Sequence, residues 1–330
     1  MFGRVCLILC VFVSGMLYAQ SDFLLFSGTS HPTFASEVAD HLGVELGKAN
    51  ISSFPDGENY VQILENVRGK HVFVIESVAR KPNVYLMELL IMIDALKRAS
   101  AKSITAVIPY YGYARQDRKD KPRVPITAKL VADLLQSAGA TRVVTMDLHA
   151  DQIQGFFDIP ADHLYGRPAL VEAIKNLGLR NSVIVAPDLG ASKQARAYAK
   201  NLNIDFALID KRRVSAEKVE VYAIIGDVKN RDVIIVDDVC STAGTLVTAA
   251  NACKKAGAKR IFVAVTHGLF VGKAQENLAN SPIEKIFVSN TIPLPEELSS
   301  EKIVQVSVAQ VFGEAIRSIV EKKSISSLFH

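Results

Sequence analysis

The chain has 330 residues, 49% apolar and 22% charged, close to the globular average, which excludes disordered, collagen-like and coiled-coil organisation. That length suits one large domain or two of ordinary size with a substantial core. A net charge of +4 (38 basic against 34 acidic residues) is too weak a bias for a dedicated nucleic-acid binder, yet it is compatible with small anionic ligands held in local clefts.

Residues 1–20, MFGRVCLILCVFVSGMLYAQ, have the outline of a secretory signal: one Arg, an apolar run and a small residue at Ala19. Export would explain this stretch, and so would a start codon placed too early, with Met16 as the true start. Leu17 fits poorly at the third position before a cut after Ala19, which favours the second explanation. No later apolar run reaches membrane-spanning length, so no membrane is expected for the mature form. Cys6, Cys10, Cys240 and Cys253 show no CxxC, metal spacing or disulfide framework, so a reducing, cytoplasmic setting is expected.

A first strand is expected at 21–26. Short β-branched runs follow at 71–75, 103–108, 142–146, 182–185, 233–236 and 260–265, separated by helix-length segments. Continuous apolar runs of this kind predict parallel strands buried on both faces, and hence an α/β fold with crossover helices on each side of the sheet. An internal echo supports two related halves. Each has a helix, an Ala-Gly-Ala turn (138–140 and 256–258), a strand and a strand-ending histidine (His149 and His267) at constant spacing. Gly166 and Pro168 place the boundary near 165, giving domains at 21–165 and 166–330.

Several segments carry chemistry. Phe54-Pro55-Asp56-Gly57-Glu58 reads as an acidic turn. The run 86–100, LMELLIMIDALKRAS, is apolar on nearly every face and predicts a helix buried in the core or at a subunit interface. Residues 108–119 leave a strand with three tyrosines, Arg115, Gln116 and Arg118. This mix suits a nucleoside triphosphate or a basic-aromatic RNA surface, and the low net charge argues against RNA. His149 stands just past a strand tip, as either a metal ligand or a structural group. The loop Pro187-Asp188-Leu189-Gly190-Ala191-Ser192-Lys193 joins a strand to a helix and suits a second anion such as pyrophosphate. Lys211, Arg212 and Arg213 close another strand, where cations can neutralise a transferring phosphoryl group.

The strongest local signal is Val236-Asp237-Asp238-Val239-Cys240-Ser241-Thr242-Ala243-Gly244-Thr245. A buried strand ends in two carboxylates and passes through a small-residue loop into a helix. Unpaired N–H groups at such a helix start hold a phosphate, and the carboxylates suit sugar hydroxyls or Mg²⁺. No GxxxxGK[ST] or strand-following GxGxxG occurs, which disfavours Walker-type and dinucleotide chemistry.

Taken in order, FSGTSHP, FPDGE, MELLIMIDALKRASA, YYGYARQDRK, PITAKLVADLL, MDLHADQIQGFFDIP, ALIDKRR, VDDVCSTAGT and SISSLF resemble the ribose-phosphate diphosphokinase (phosphoribosyl pyrophosphate, PRPP, synthetase) family from about Phe26 to Phe329. The resemblance implies two phosphoribosyltransferase-like α/β domains, each a mainly parallel sheet flanked by helices, with the final helix returning toward the first domain. It also implies a homo-oligomer, commonly a hexamer. The implied activity is transfer of the pyrophosphoryl group of Mg-ATP to the C1 hydroxyl of ribose 5-phosphate for nucleotide biosynthesis. Carried over by position, Phe54, Asp56 and Glu58 would contact adenine from a neighbouring subunit, and Arg115 and Gln116 the ATP. His149 would help hold Mg²⁺, with Asp188 near the metal or ribose. Lys211 and Arg213 would stabilise the transition state. Asp237 and Asp238 would hold ribose hydroxyls, and Ser241, Thr242, Ala243, Gly244 and Thr245 would form the 5-phosphate loop. The chain departs from the family at Ser241 (often Asp), Ala191 (often Gly), Pro122 (commonly Ser, in the allosteric phosphate/ADP site) and Ser327 (commonly Tyr). A phosphoribosyltransferase and a non-catalytic regulatory homologue are the competing expectations.

Overall fold

The computed structural model describes residues 23–213, 219–298 and 300–326, with backbone alone at 211–213 and 219–222. The leader, Met16 and Ser327 lie outside the described residues, as do the side chains of Lys211 and Arg213. The first half runs β1 (Phe23–Ser27), α1 (Pro32–Leu42), β2 (Ala49–Ser53), β3 (Asn59–Ile63), β4 (His71–Ile75), α2 (Pro82–Arg98), β5 (Ser103–Ile108), α3 (Thr127–Ala138), β6 (Arg142–Met146) and β7 (Ala161–Leu164). There follow α4 (Arg167–Lys175), β8 (Ser182–Ala186), α5 (Ser192–Leu202), β9 (Asp205–Arg213), β10 (Val219–Ile225), β11 (Asp232–Cys240) and α6 (Gly244–Lys255). The chain continues through β12 (Arg260–Gly268), α7 (Ala274–Ala279), β13 (Lys285–Ser289), β14 (Ile303–Val306) and α8 (Ala309–Val320).

Strands β1-β4-β5-β6-β7 form one wholly parallel sheet. Strands β10-β9-β8-β11-β12-β13-β14 form a second, parallel except at the β9–β10 hairpin. The continuous apolar runs are explained by burial on both faces. In the first sheet Ile104, Ala106 and Ile108 of β5 pack with α2 and α3, whereas Val107 faces the cluster containing α1 and α8. Helix α8 leaves the second sheet and packs on α1 of the first half, with the Phe34 and Phe312 rings edge to face at 5.4 Å.

Helix α2 begins at Pro82 and buries one of its faces within this chain, through Leu89, Met92, Ile93 and Leu96, while Met87 is 52% exposed. The structure departs from the expected elements at two places. Strand β10 was not foreseen, because a short polar stretch precedes it. Strands β11 and β12 run on to Cys240 and Gly268, so Asp237 and Asp238 lie within a strand and not beyond its tip.

One buried acidic pair anchors the start of α1 to α2. Thr29 donates its N–H (2.6 Å) and hydroxyl (2.7 Å) to Glu88, and Ser30 N–H donates to Glu76 Oε1. Glu76 is fully buried, its Oε2 has no partner, and a Cβ on Gly28 would fall 1.3 Å from that oxygen. Burial first, and then the Glu88 charge, push the Glu76 carboxyl well above its ordinary value of 4.5, so it stays neutral. The folded protein keeps this proton while the unfolded chain releases it above about pH 4.5, so this group lowers stability as pH rises past that value. Glu76→Gln, with a neutral side chain of the same shape, is therefore expected to be more stable than wild type at pH 7–8. Urea titrations should show the gap closing toward pH 4.5.

Candidate active site

The two sheets meet end to end through a buried polar seam. Asp147, just past β6, has φ 38° and accepts hydrogen bonds from Gly166 N–H (3.0 Å) and the Thr266 hydroxyl of β12 (2.5 Å). His267 of β12 places Nε2 3.1 Å from the carbonyls of both Met146 and Asp147, so Nε2 carries the proton and Nδ1 accepts from the Thr291 hydroxyl. Burial pushes His267 down to about 4 and Asp147 up to about 6, which keeps the imidazole neutral. His149 and His267, the two strand-ending histidines, thus differ in role: His267 is structural and sealed, whereas His149 lies on a cleft.

That cleft, of about 830 Å³, lies between the halves. On the second-half side β8 pairs with β11 only as far as Ile235, whereas β12 continues to Cys240. Residues 237–240 therefore overhang the end of β8. Asp237 accepts the N–H of Asp238 (3.0 Å), and Asp238 Oδ2 lies 2.6 Å from His149 Nδ1 of the other half. The neighbouring carboxylates take opposite characters. Burial first, then the charges of Asp238 and Asp188, hold Asp237 well above the usual carboxylate range. Burial also pushes Asp238 upward, but its bond and attraction to His149 outweigh that and leave it below its ordinary value. The same bond raises His149.

After the overhang, Ala243 takes a left-handed φ of 62° and Gly244 opens α6, whose first turn has no side-chain cap. Its free N–H groups face the cleft, and a Cβ on Gly244 would meet only Thr242 Oγ1, at 3.7 Å, leaving space for a ligand. Ser241, Thr242, Ala243 and Thr245 line the same cleft. The second loop arrives from β8. Asp188 accepts the Ala191 N–H at the start of α5 (3.2 Å), and the Ala191 methyl is buried beneath that helix. Lys193 is ion-paired to Asp151.

From the first half, Arg115 reaches the cleft with Asp117, Arg118 and His149. Gln116 does not line it; its side-chain oxygen accepts the Thr127 hydroxyl at the start of α3. Phe54, Asp56 and Glu58 also lie elsewhere, at the tip of the β2–β3 hairpin. There Asp56 accepts the Glu58 N–H and Phe54, half exposed, rests on Tyr60. Lys211 and Arg213 occupy the part of β9 that continues past the end of β8, where only β10 pairs with it. Among the described residues no three His, Cys, Asp or Glu side chains converge as a metal cage. The sequence reading missed Asp147 and Arg167. Asp147 carried a usable signal, since it follows a buried strand much as Asp237 does.

The His149–Asp238 pair is fully charged only above the depressed carboxylate value and below the raised imidazole value. NMR titration of the His149 ring should give a midpoint above 6.5, and Asp238→Asn should return it to 6.5 or below, because burial, aided by Arg115, then outweighs the remaining attraction of Asp117.

Residues 23–139 match the family model for the N-terminal domain of ribose phosphate pyrophosphokinase, and residues 212–330 match the phosphoribosyl synthetase-associated domain. The chain is 52% identical over 307 residues to the ribose-phosphate pyrophosphokinase of Wolinella succinogenes, covering 93% of this chain and 99% of that protein. With the enzyme of the same name from Caldanaerobacter subterraneus the identity is 55% over 306 residues, covering 92% and 97%. The crystal structure of phosphoribosylpyrophosphate synthetase from Mycobacterium smegmatis superposes with a TM-score of 0.86 at 40% identity, covering 91% of this chain and 99% of that one. Near-complete coverage in both directions, with the paired sheets and the cleft between them, makes this chain a member of the ribose-phosphate pyrophosphokinase family.

Proposed function

We infer that this chain transfers the diphosphoryl group of ATP to ribose 5-phosphate, giving PRPP and AMP. The single observation that carries this is the placement, across one cleft, of an uncapped helix start with two adjacent carboxylates against Arg115 and His149 of the other half. In the proposed step the C1 hydroxyl oxygen bonds to the β-phosphorus, the bond from that phosphorus to the α–β bridging oxygen breaks, AMP departs and the hydroxyl proton is released. Such transfers depend on positioning and charge neutralisation.

Each contact below is part of the proposal. The first turn of α6, with Thr242, Gly244 and Thr245, cradles the 5-phosphate beside Ser241 and Ala243. Asp237, held neutral, can donate as well as accept toward the ribose hydroxyls, while ionised Asp238 accepts. Arg115 and Gln116 attend the ATP. The distance of Phe54, Asp56 and Glu58 from the cleft suits adenine contact across a subunit boundary, and so a homo-oligomer, a hexamer by resemblance to the family. The resident metal is proposed to be Mg²⁺, with His149 and Asp188 holding it. The crowding of Asp188, Asp237 and Asp238 suits a cation held mainly by substrate oxygens and water. When bound, it would withdraw charge from the diphosphoryl group. Lys211 and Arg213 supply further positive charge on β9. The chain is proposed to divide near residue 165 and to act in the cytoplasm. Among the described residues, no helix is long and apolar enough to cross a membrane.

The deciding experiment follows AMP and PRPP in equal amounts from ATP, ribose 5-phosphate and magnesium; their absence would overturn the assignment. Lys211→Ala should lower turnover at least about 100-fold with little change in melting temperature, the usual effect of losing one transition-state donor.

A further inference from the structure

Arg167 is the first residue of α4 and carries a cation into the cleft from the second-half wall. Its guanidinium carbon lies 5.5 Å from the centre of the Tyr165 ring. Its Nε is buried with no hydrogen-bond partner, and no carboxylate of the described residues lies within ion-pair distance of it. The remaining nitrogens are neither bonded nor buried, so they face the open cleft. Among the described residues of this wall the other cation, Lys193, is already taken by Asp151. The buried carboxylate nearby, Asp147, has donors of its own in Gly166 and Thr266. An unpaired planar fork in a polar cleft is suited to bidentate recognition of phosphoryl oxygens.

The position selects which phosphoryl group. The 5-phosphate cradle is proposed at α6, after β11, whereas Arg167 follows the tip of β7 in the first sheet and heads α4, which packs on α5 with Ala191, the end of the second loop, in the same cluster. It therefore stands between the second anion loop and the first sheet, on the path of whatever passes from nucleotide to sugar.

We propose that Arg167 binds the diphosphoryl group during its transfer, and so determines affinity for diphosphate over monophosphate ligands at this wall. The proposal rests on the reaction assigned above. Isothermal titration of the full chain with magnesium would compare inorganic diphosphate and ribose 5-phosphate, each added alone. Arg167→Gln is expected to weaken diphosphate about 10- to 100-fold, the effect of losing a charge-assisted pair, and ribose 5-phosphate less than about twofold. Arg167→Lys should recover part of the loss, and it keeps the test open if the Gln variant does not fold. Unchanged diphosphate affinity would overturn the proposal. So would an equal loss for both ligands with a lowered melting temperature, which would make Arg167 a structural counter-charge to Asp147. If wild type forms PRPP and AMP while Arg167→Gln binds diphosphate normally, this proposal alone fails. If wild type forms neither, the assigned reaction fails.

Discussion

The hydrogen bonds that tie the end of the first sheet to β12 set the geometry on which the site depends. Asp147 takes one donor from Gly166, where the chain leaves the first sheet, and one from Thr266 of β12, and His267 caps two carbonyls of the opposing strand end. Both groups are buried, so leaving either unpaired would cost about 1–3 kcal/mol, and the two sheets are held in one relation. That relation turns the carboxyl ends of both sets of parallel strands toward a shared space. In open parallel sheets such ends are where loops and helix starts gather polar groups. Here two such ends converge, one bringing Arg115 and His149 and the other the loops after β8 and β11.

Within that space the chemistry follows from solvation and neighbour charge more than from residue type. Asp237 and Asp238 are adjacent and identical, yet one is driven toward the neutral form and the other toward the ionised form, because only Asp238 reaches the imidazole. The overhang of β11 past β8 makes this asymmetry possible: it withdraws both side chains from bulk water while leaving their outer faces on the cleft. A pair with one proton donor and one acceptor suits a sugar diol better than two equal charges would.

Much of this organisation was legible in the residues. Runs such as 71–75 and 103–108 marked central parallel strands, and the Asp-Asp-to-Gly segment marked the passage from a buried strand into the start of a helix. What escaped was set by tertiary pairing. The length of β11 depends on continued pairing with β12, and β10 pairs antiparallel with the edge of β9 opposite β8. The near-uniform apolarity of α2 suggested burial all round, but within one chain only one face finds a partner. Arg167 could not be singled out because Gly166-Arg167-Pro168 reads as ordinary chain punctuation. Its significance comes from lacking a partner, which only the packed structure reveals.

The docking of α8 on α1 has a consequence for how the polypeptide is made. Phe34, Val38 and the outer face of β4 and β5 obtain apolar cover from residues such as Phe312 and Ile316, which follow every strand of both sheets in the chain. The amino-terminal half therefore emerges from the ribosome with that side of its sheet covered only in part, by α1, and it completes this core once α8 has been made. Until then it presents an adhesive surface of the kind that nascent-chain chaperones shield.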